Sequence, residues 1–584
     1  MREPVILFEN FGFQYRAQAD PTLFEIDLAI YPGEKVLIAG PSGSGKSTLA
    51  HCINGLIPFN HTGTSIGRCL VNGIETKDQS VFELSKTIGT VLQDTDSQFV
   101  GLTAGEDIAF SLENNMAPQA DMFARVKDAA DLTGIGDFLD ASPFELSGGQ
   151  KQRVSIAGVL VEGVKILLFD EPLANLDPAT GKQAIDLIDR LKKETNTTVI
   201  IIEHRIEDVL YRSVDRIVLM NEGRIIWDGP PGDLLRGSLL KETGIREPLY
   251  ITALKYAGIE IEPEHHCENI GTLILSEDDK DNVRRWYKGE TPPPSAPGGE
   301  ELLSAKDLGF TYPEGMKPAL SDVSFSILKG GITAIVGANG AGKSTLAKLI
   351  CGFEEPSGGI ISLYGKDISD ESISKRAEQI GYVMQNPNQM ICMPMIYDEV
   401  AFALKNRGLS EEEIEVRVEK ALKICGLYPF RKWPVSALSY GQKKRVTIAS
   451  VLVMSPEIII LDEPTAGQDY RHYTEIMEFL RSLNKEGVTV ILITHDMHLM
   501  LEYAPRTLAF SAGKMLADTG SADLLCDVAL SEAASLKETS LFYLAQVCGI
   551  DDAPAFVRRF VAYEAVIEDS GKQSGIRGEG GVNG

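Results

Sequence analysis

The chain has little of what a membrane-spanning or secreted protein requires. Among its 584 residues no run approaches about 18 consecutive apolar side chains, so no helix that crosses a bilayer is expected. The opening Met1, Arg2, Glu3, Pro4, Val5, Ile6 lacks the long apolar core of a secretory signal. A cytosolic chain is expected, and any role at a membrane must run through a partner. Cysteine is scarce and scattered: Cys52, Cys69, Cys267, Cys351, Cys392, Cys425, Cys526 and Cys548, with no C-x-x-C pair. That argues for reduced thiols and against zinc or iron–sulfur sites. Basic charge is also short. Fifty-six Lys and Arg face 83 Asp and Glu, a net charge of −27, which leaves no basic stripe to track a nucleic acid and favours a self-repelling, soluble surface.

What the chain does have is one glycine-rich pattern, twice. Gly40, Pro41, Ser42, Gly43, Ser44, Gly45, Lys46, Ser47 and Thr48 fit G-x-x-x-x-G-K-[ST], and so do Gly337, Ala338, Asn339, Gly340, Ala341, Gly342, Lys343, Ser344 and Thr345. An apolar run precedes each copy and a helix-like run follows it. Glycine lets the backbone curl with its N–H groups inward, and the following helix adds the positive end of its dipole. Such a loop cradles phosphates. Lys46 and Lys343 would reach the β- and γ-phosphates, and Ser47 and Ser344 would bind Mg²⁺.

The repeat extends well beyond the loops. Lys46 and Lys343 are 297 apart; Gln93 and Gln385, Ser147 and Ser439, and Glu171 and Glu463 are each 292 apart; His204 and His495 are 291 apart. A near-constant offset means two copies of one domain. Each opens on a strand pair with an aromatic, Tyr15 or Tyr312, and has a middle section that reads helical, roughly 104–160 and 397–453. Short Ile/Leu/Val runs at 165–169, 198–202, 458–461 and 489–493 lack alternation, as parallel strands buried on both faces do. The expected class is α/β: two domains in tandem, at 1–235 and 301–525, with the middle helices as a side subdomain. Each copy has a small extension, 236–275 and 526–565, in which a short helix ends at Gly258 or Gly549. A proline-rich, semi-extended linker is expected at 276–300 and a disordered tail at 566–584.

Leu146, Ser147, Gly148, Gly149 and Gln150, followed by Lys151, Gln152 and Arg153, resemble the signature of ABC-transporter nucleotide-binding domains. The second copy reads Leu438, Ser439, Tyr440, Gly441, Gln442. The resemblance covers both domains with every landmark in order, and it implies P-loop NTPase folds with a β-rich subdomain, a RecA-like core and a helical subdomain. It implies ATP as the nucleotide. Asp170 and Asp462, at the ends of apolar strands, would hold Mg²⁺. Glu171 and Glu463 resemble the general base that polarises the attacking water. His204 and His495 would contact the γ-phosphate, Gln93 and Gln385 would touch Mg²⁺ and water and couple to a membrane partner, and Tyr15 and Tyr312 would stack on adenine. The signature residues would close on the nucleotide of the opposite copy, in a head-to-tail pseudo-dimer that fusion makes intramolecular. Site one would join Lys46, Glu171 and His204 to Ser439; site two would join Lys343, Glu463 and His495 to Ser147. Tyr440 in place of glycine is expected to alter affinity at site one, with both sites hydrolytic.

The Q-loop surroundings, Gln93 to Gln98 with Asp96, and Glu106 to Phe110, are similar to the ATPases of energy-coupling factor importers. That resemblance implies a transmembrane scaffold (the T component), a substrate-binding membrane subunit (the S component), and peripheral attachment to the cytoplasmic face of the membrane. Asp96 would receive an arginine from the scaffold; the second copy has Asn388 there, with Glu399 as a substitute acid. The transported solute is chosen by the partner, with a vitamin or its precursor expected. The rival, a soluble tandem ATPase acting on ribosomes or nucleic acid, fits poorly: the linker is short and proline-rich, and the charge is acidic. A sugar-importer ATPase shares the chemistry but matches the acid-rich Q-loop less well.

Overall fold

A computed structural model describes residues 3–93, 98–174, 176–289, 299–313, 317–465 and 470–576. The chain divides into two compact units, the first made mainly of Met1–Asn282 and the second mainly of Val283 onward.

In unit 1 a four-stranded antiparallel sheet runs in the order Leu23–Ile30, Ile6–Tyr15, Gly63–Val71, Ile74–Glu75. A six-stranded sheet follows the order Arg224–Gly229, Arg216–Asn221, Lys35–Ala39, Thr198–Ile202, Ile166–Asp170, Ile88–Val91. Its strands are parallel except for the antiparallel edge Arg224–Gly229. Every residue of Lys35–Ala39 and Thr198–Ile202 is buried, which is why those runs carry no polar alternation. Helices Ala104–Asn114, Gln119–Thr133 and Gly148–Leu160 form a separate apolar cluster around Ile108, Leu112, Ala130 and Val154, the side subdomain expected over 104–160.

Unit 2 repeats this plan. Its four-stranded sheet is ordered Leu320–Leu328, Glu301–Phe310, Gly358–Leu363, Lys366–Asp367. Its six-stranded sheet is ordered Ile380–Val383, Ile458–Asp462, Thr489–Ile493, Ile332–Gly337, Arg506–Ser511, Lys514–Gly520. Read from the other edge, this is the strand order of unit 1. Three helices, Ile396–Asn406, Glu411–Ile424 and Tyr440–Leu452, answer those of the first side subdomain.

The extensions hold helices Leu249–Tyr256 and Ser540–Val547, and Gly258 (φ 76°) and Gly549 (φ 64°) supply the left-handed residues just beyond them. Two expectations need correction. The span 276–300 is not extended throughout: Glu277–Tyr287 is a helix. Its first turn is acidic and its last turn basic, matching the helix dipole, while the prolines that suggested extension lie in 290–298, outside the described residues. In unit 2 the end of this helix packs on the second extension. The Trp286 ring lies edge-on to Phe556 and Tyr563 (5.8 and 5.6 Å), the Arg559 guanidinium covers it at 5.4 Å, and Arg284 Nε donates to Cys548 O at 2.7 Å. The second correction concerns the tail. The helix Ala553–Ile576 runs through the first part of the stretch expected to be disordered. Helix propagation gains a bond per residue, so Gly571 and Gly575 weaken it without stopping it. Residues 577–584 lie outside the described residues. No helix among the described residues is long and apolar enough to cross a membrane.

Candidate active site

In each unit the glycine loop links a buried strand to a helix, Lys46–Ile53 or Lys343–Cys351. The residue before each helix, Gly45 or Gly342, sits at φ 97° or 98°, and a Cβ there would come within 2.7 Å of Leu23 Cδ2 or Leu320 Cδ2. Only glycine allows the turn that aims the first helical N–H groups into the loop. Lys46 is buried; its Nζ donates to the carbonyls of Gly40 (2.7 Å) and Pro41 (2.9 Å), and Lys343 does the same to Gly337 (2.8 Å) and Ala338 (2.9 Å). The ammonium groups are thus folded over the cradle that each lysine follows.

Tyr15 and Tyr312 stand beside these helices. Each hydroxyl is 3.2 Å from a threonine hydroxyl, Thr48 or Thr345, and each ring is edge-on to the strand phenylalanine two residues before it. Both rings are half-buried against the core cluster of their unit.

The acid pairs lie where the strands Ile166–Asp170 and Ile458–Asp462 end, next to the loops, as ligand sites do in parallel sheets. Glu171 (φ 47°) and Glu463 (φ 45°) occupy the left-handed region, which a long side chain enters only under constraint. In unit 1, Gln93 Nε2 donates to Glu171 Oε2 at 2.7 Å, and His204 Nδ1 lies 3.8 Å from Glu171 Oε1 and 3.2 Å from Glu203 Oε2. In unit 2 the glutamate and histidine touch directly: His495 Nδ1 is 2.7 Å from Glu463 Oε1, with the Thr494 hydroxyl at 3.4 Å from Oε2.

The charges differ accordingly. Burial, with the adjacent Glu171, pushes the Asp170 carboxyl up to about 6. Burial acts against the charge of Glu171 too, but His204, Lys46 and Arg205 outweigh it and hold that carboxyl below its usual range. His204 is likewise buried, which favours the neutral ring; Glu203 and Glu171 overcome this and raise its proton affinity. Asp462 is raised by burial, moderated by the Tyr382 hydroxyl at 2.8 Å and by Ser344. Asp170 Oδ1 is buried and, among the described residues, has no hydrogen-bond partner. A buried carboxylate oxygen lacking a donor, beside a second acid, fits a divalent cation, with Ser47 and Gln93 as neutral oxygen donors.

Ser147 and Ser439 each cap a helix through a reciprocal capping box with Gln150 or Gln442. Gly148, Gly149 and Gln150 open the first helix, and Tyr440, Gly441 and Gln442 open the second. Both serines line cavities at equivalent places, of about 240 Å³ with Arg153 and Thr180 and about 210 Å³ with Arg445 and Glu475.

Three residues near the acids had no role in the sequence reading: Glu203, fully buried beside His204; Tyr382 on Asp462; and Lys444, whose proton affinity burial lowers to about 8 despite Asp462 and Glu463. Charge inside an otherwise apolar run was the available signal for Glu203; the other two gave none. The substitute groove acid fails. Glu399 is 5% exposed, and its Oε2 accepts from the Cys392 and Met393 amides at 2.8 and 2.7 Å, so it is already committed to its own loop. Asp96 lies outside the described residues.

Residues 23–174 and 320–466 match the family profile described as ABC transporter, half of the chain in two copies. The chain belongs to the ABC-transporter ATP-binding family. ATP is therefore the nucleotide of these two domains. Residues 237–310 of this ABC protein match a second profile, described as an ATP-binding cassette cobalt transporter, which supports its likeness to fused energy-coupling ATPases. An ABC transporter ATP-binding protein of Clostridium perfringens is 56% identical over 96% of this chain and 99% of its own length. One from Enterococcus faecalis is 54% identical over 97% and 99%. Among solved structures, cbiO1 of Clostridium perfringens, described as part of the ABC transporter complex cbiONQ, is 38% identical over 39% of this chain and 92% of its own, with a TM-score of 0.37.

Proposed function

We propose that this ABC protein is the ATP-hydrolysing subunit of an energy-coupling importer, held at the cytoplasmic face of the membrane by a transmembrane partner. The observation that carries the hydrolytic part is the contact made by each glutamate after the acid strand: Glu171 with Gln93 at 2.7 Å, and Glu463 with His495 at 2.7 Å. Glu171 and Glu463 take the proton of the attacking water, and His204 and His495 contact the γ-phosphate. Lys46, Lys343 and the loop amides hold the phosphates, and Tyr15 and Tyr312 stack on adenine. Ser47, Gln93 and Asp170, or Ser344, Gln385 and Asp462, would hold Mg²⁺, which would supply positive charge beside the phosphates. The Ser439 helix closes site one and the Ser147 helix closes site two, each lending its N-terminus to the other unit's γ-phosphate.

The partners would be a T component and an S component, with no nucleic acid. The cobalt-transporter profile and the names of the relatives support a transport role. The solute is a transition metal or a vitamin-like molecule selected by the S component. Copurification from detergent-solubilised membranes tests this: a small polytopic membrane protein is expected with the chain, whereas ribosomes would point to the rival. Asp96→Arg, which sets like charges against the scaffold arginine, is expected to lower recovery of that partner at least about tenfold. Undiminished recovery would remove Asp96 from the contact.

A further inference from the structure

The side of the signature helix that faces the Q-loop differs between the units. In unit 2 Lys444 is 1% exposed, and its Nζ donates to the carbonyls of Met384 and Gln385, both at 2.8 Å. The Tyr440 hydroxyl donates to the same Gln385 oxygen at 3.3 Å, and Lys443 Nζ donates to Asn388 Oδ1 at 3.3 Å. The spacing 440, 443, 444 places all three on one helix face. A buried ammonium must be hydrogen-bonded, and here the Q-loop backbone supplies the acceptors.

Unit 1 has Gly148, Lys151 and Gln152 at these positions. Gly148 has no hydroxyl to offer. Gln152 Nε2 donates to Pro172 O at 2.8 Å, beside the acid pair. In unit 1 the described Q-loop residue Gln93 donates to Glu171. In unit 2 Glu463 is engaged by His495 and Thr494, and among the described residues the Gln385 side chain has no hydrogen-bond partner.

We propose that Lys444 and Tyr440 are positioning residues that fasten the unit 2 Q-loop to its signature helix. This rests on the ATPase reading above. The Lys444 ammonium and the Tyr440 hydroxyl thus join the Ser439 end of this helix to the Q-loop of the same unit.

Amide hydrogen exchange on the full-length chain, alone and with Mg²⁺ and the non-hydrolysable analogue AMP-PNP, tests this. Lys444→Gln, which installs the unit 1 residue, is expected to speed exchange across 384–390 about tenfold without nucleotide, whereas Lys444→Arg stays near wild type. AMP-PNP should slow exchange at 384–390 in wild type but not in Lys444→Gln, while slowing residues 40–48 and 337–345 in both. Tyr440→Phe, which removes one hydroxyl, should give a change of about threefold in the same segment and serves if Lys444→Gln does not fold. Wild-type exchange and nucleotide response at 384–390 in the folded variants would overturn the fastening. Absence of protection at both phosphate loops would instead overturn the nucleotide reading, and the comparison without nucleotide would still decide the fastening.

Discussion

Replacing Glu171 and Glu463 together by glutamine is expected to keep ATP binding and lower turnover by about 10²- to 10⁴-fold, the usual contribution of a positioned general base. The amide keeps the shape of the carboxylate and one acceptor oxygen, so the left-handed turn at each position survives while the proton acceptor is lost. Gln93, which donates to Glu171 Oε2, can still find an oxygen there. Phosphate release in saturating ATP measures the loss, and nucleotide titration measures the binding that remains. Turnover within a few-fold of wild type would strip both glutamates of the role given to them.

The second large effect concerns stability as well as catalysis. The Asp170 carboxyl is pushed up to about 6 from an ordinary 3.8, by burial first and by Glu171 second. Between those values the folded chain holds a proton that the unfolded chain has released. Its stability therefore falls as pH rises through that interval, by on the order of 2–3 kcal/mol if this group acts alone. Asp170→Asn removes the buried charge. The nucleotide-free variant is expected to melt about 5 °C above wild type at pH 7 and to match it near pH 4. The same change removes the oxygen best placed for a cation and should abolish Mg²⁺-dependent turnover at site one, a trade of function for stability. Calorimetry across this pH range reads the first effect. A variant no more stable than wild type at pH 7 would show that Asp170 is not held under charge strain.

The sequence announced the fold through pattern. The unbroken Ile/Leu/Val runs became Thr198–Ile202 and Thr489–Ile493, buried along their whole length, and a constant offset foretold two sheets with one strand order. It misread 276–300 because proline dominated its composition, while the charge pattern of Glu277–Tyr287 favoured a helix whose end packs on Phe556. The placement of the motif residues was legible: Lys46 folds over the loop it follows, Glu171 follows the acid strand and Ser147 caps a helix. It was not legible where function depends on which neighbour a side chain reaches. Gln152 and Lys444 occupy one alignment position, yet one grips Pro172 and the other the Q-loop, and only the packing around each decides that. Glu399 misled in the same way: an acid in the right neighbourhood proved to be holding its own backbone.

The measurement that tests composite nucleotide sites most directly is ATP turnover in full-length chains that retain one glutamate. With Glu463→Gln, turnover depends on Glu171; adding Ser439→Arg, from the other unit, should silence it, while adding Ser147→Arg should spare most of it. With Glu171→Gln the dependence should reverse. If each signature serine instead governs the glutamate of its own unit, the two halves do not close on one another's nucleotide.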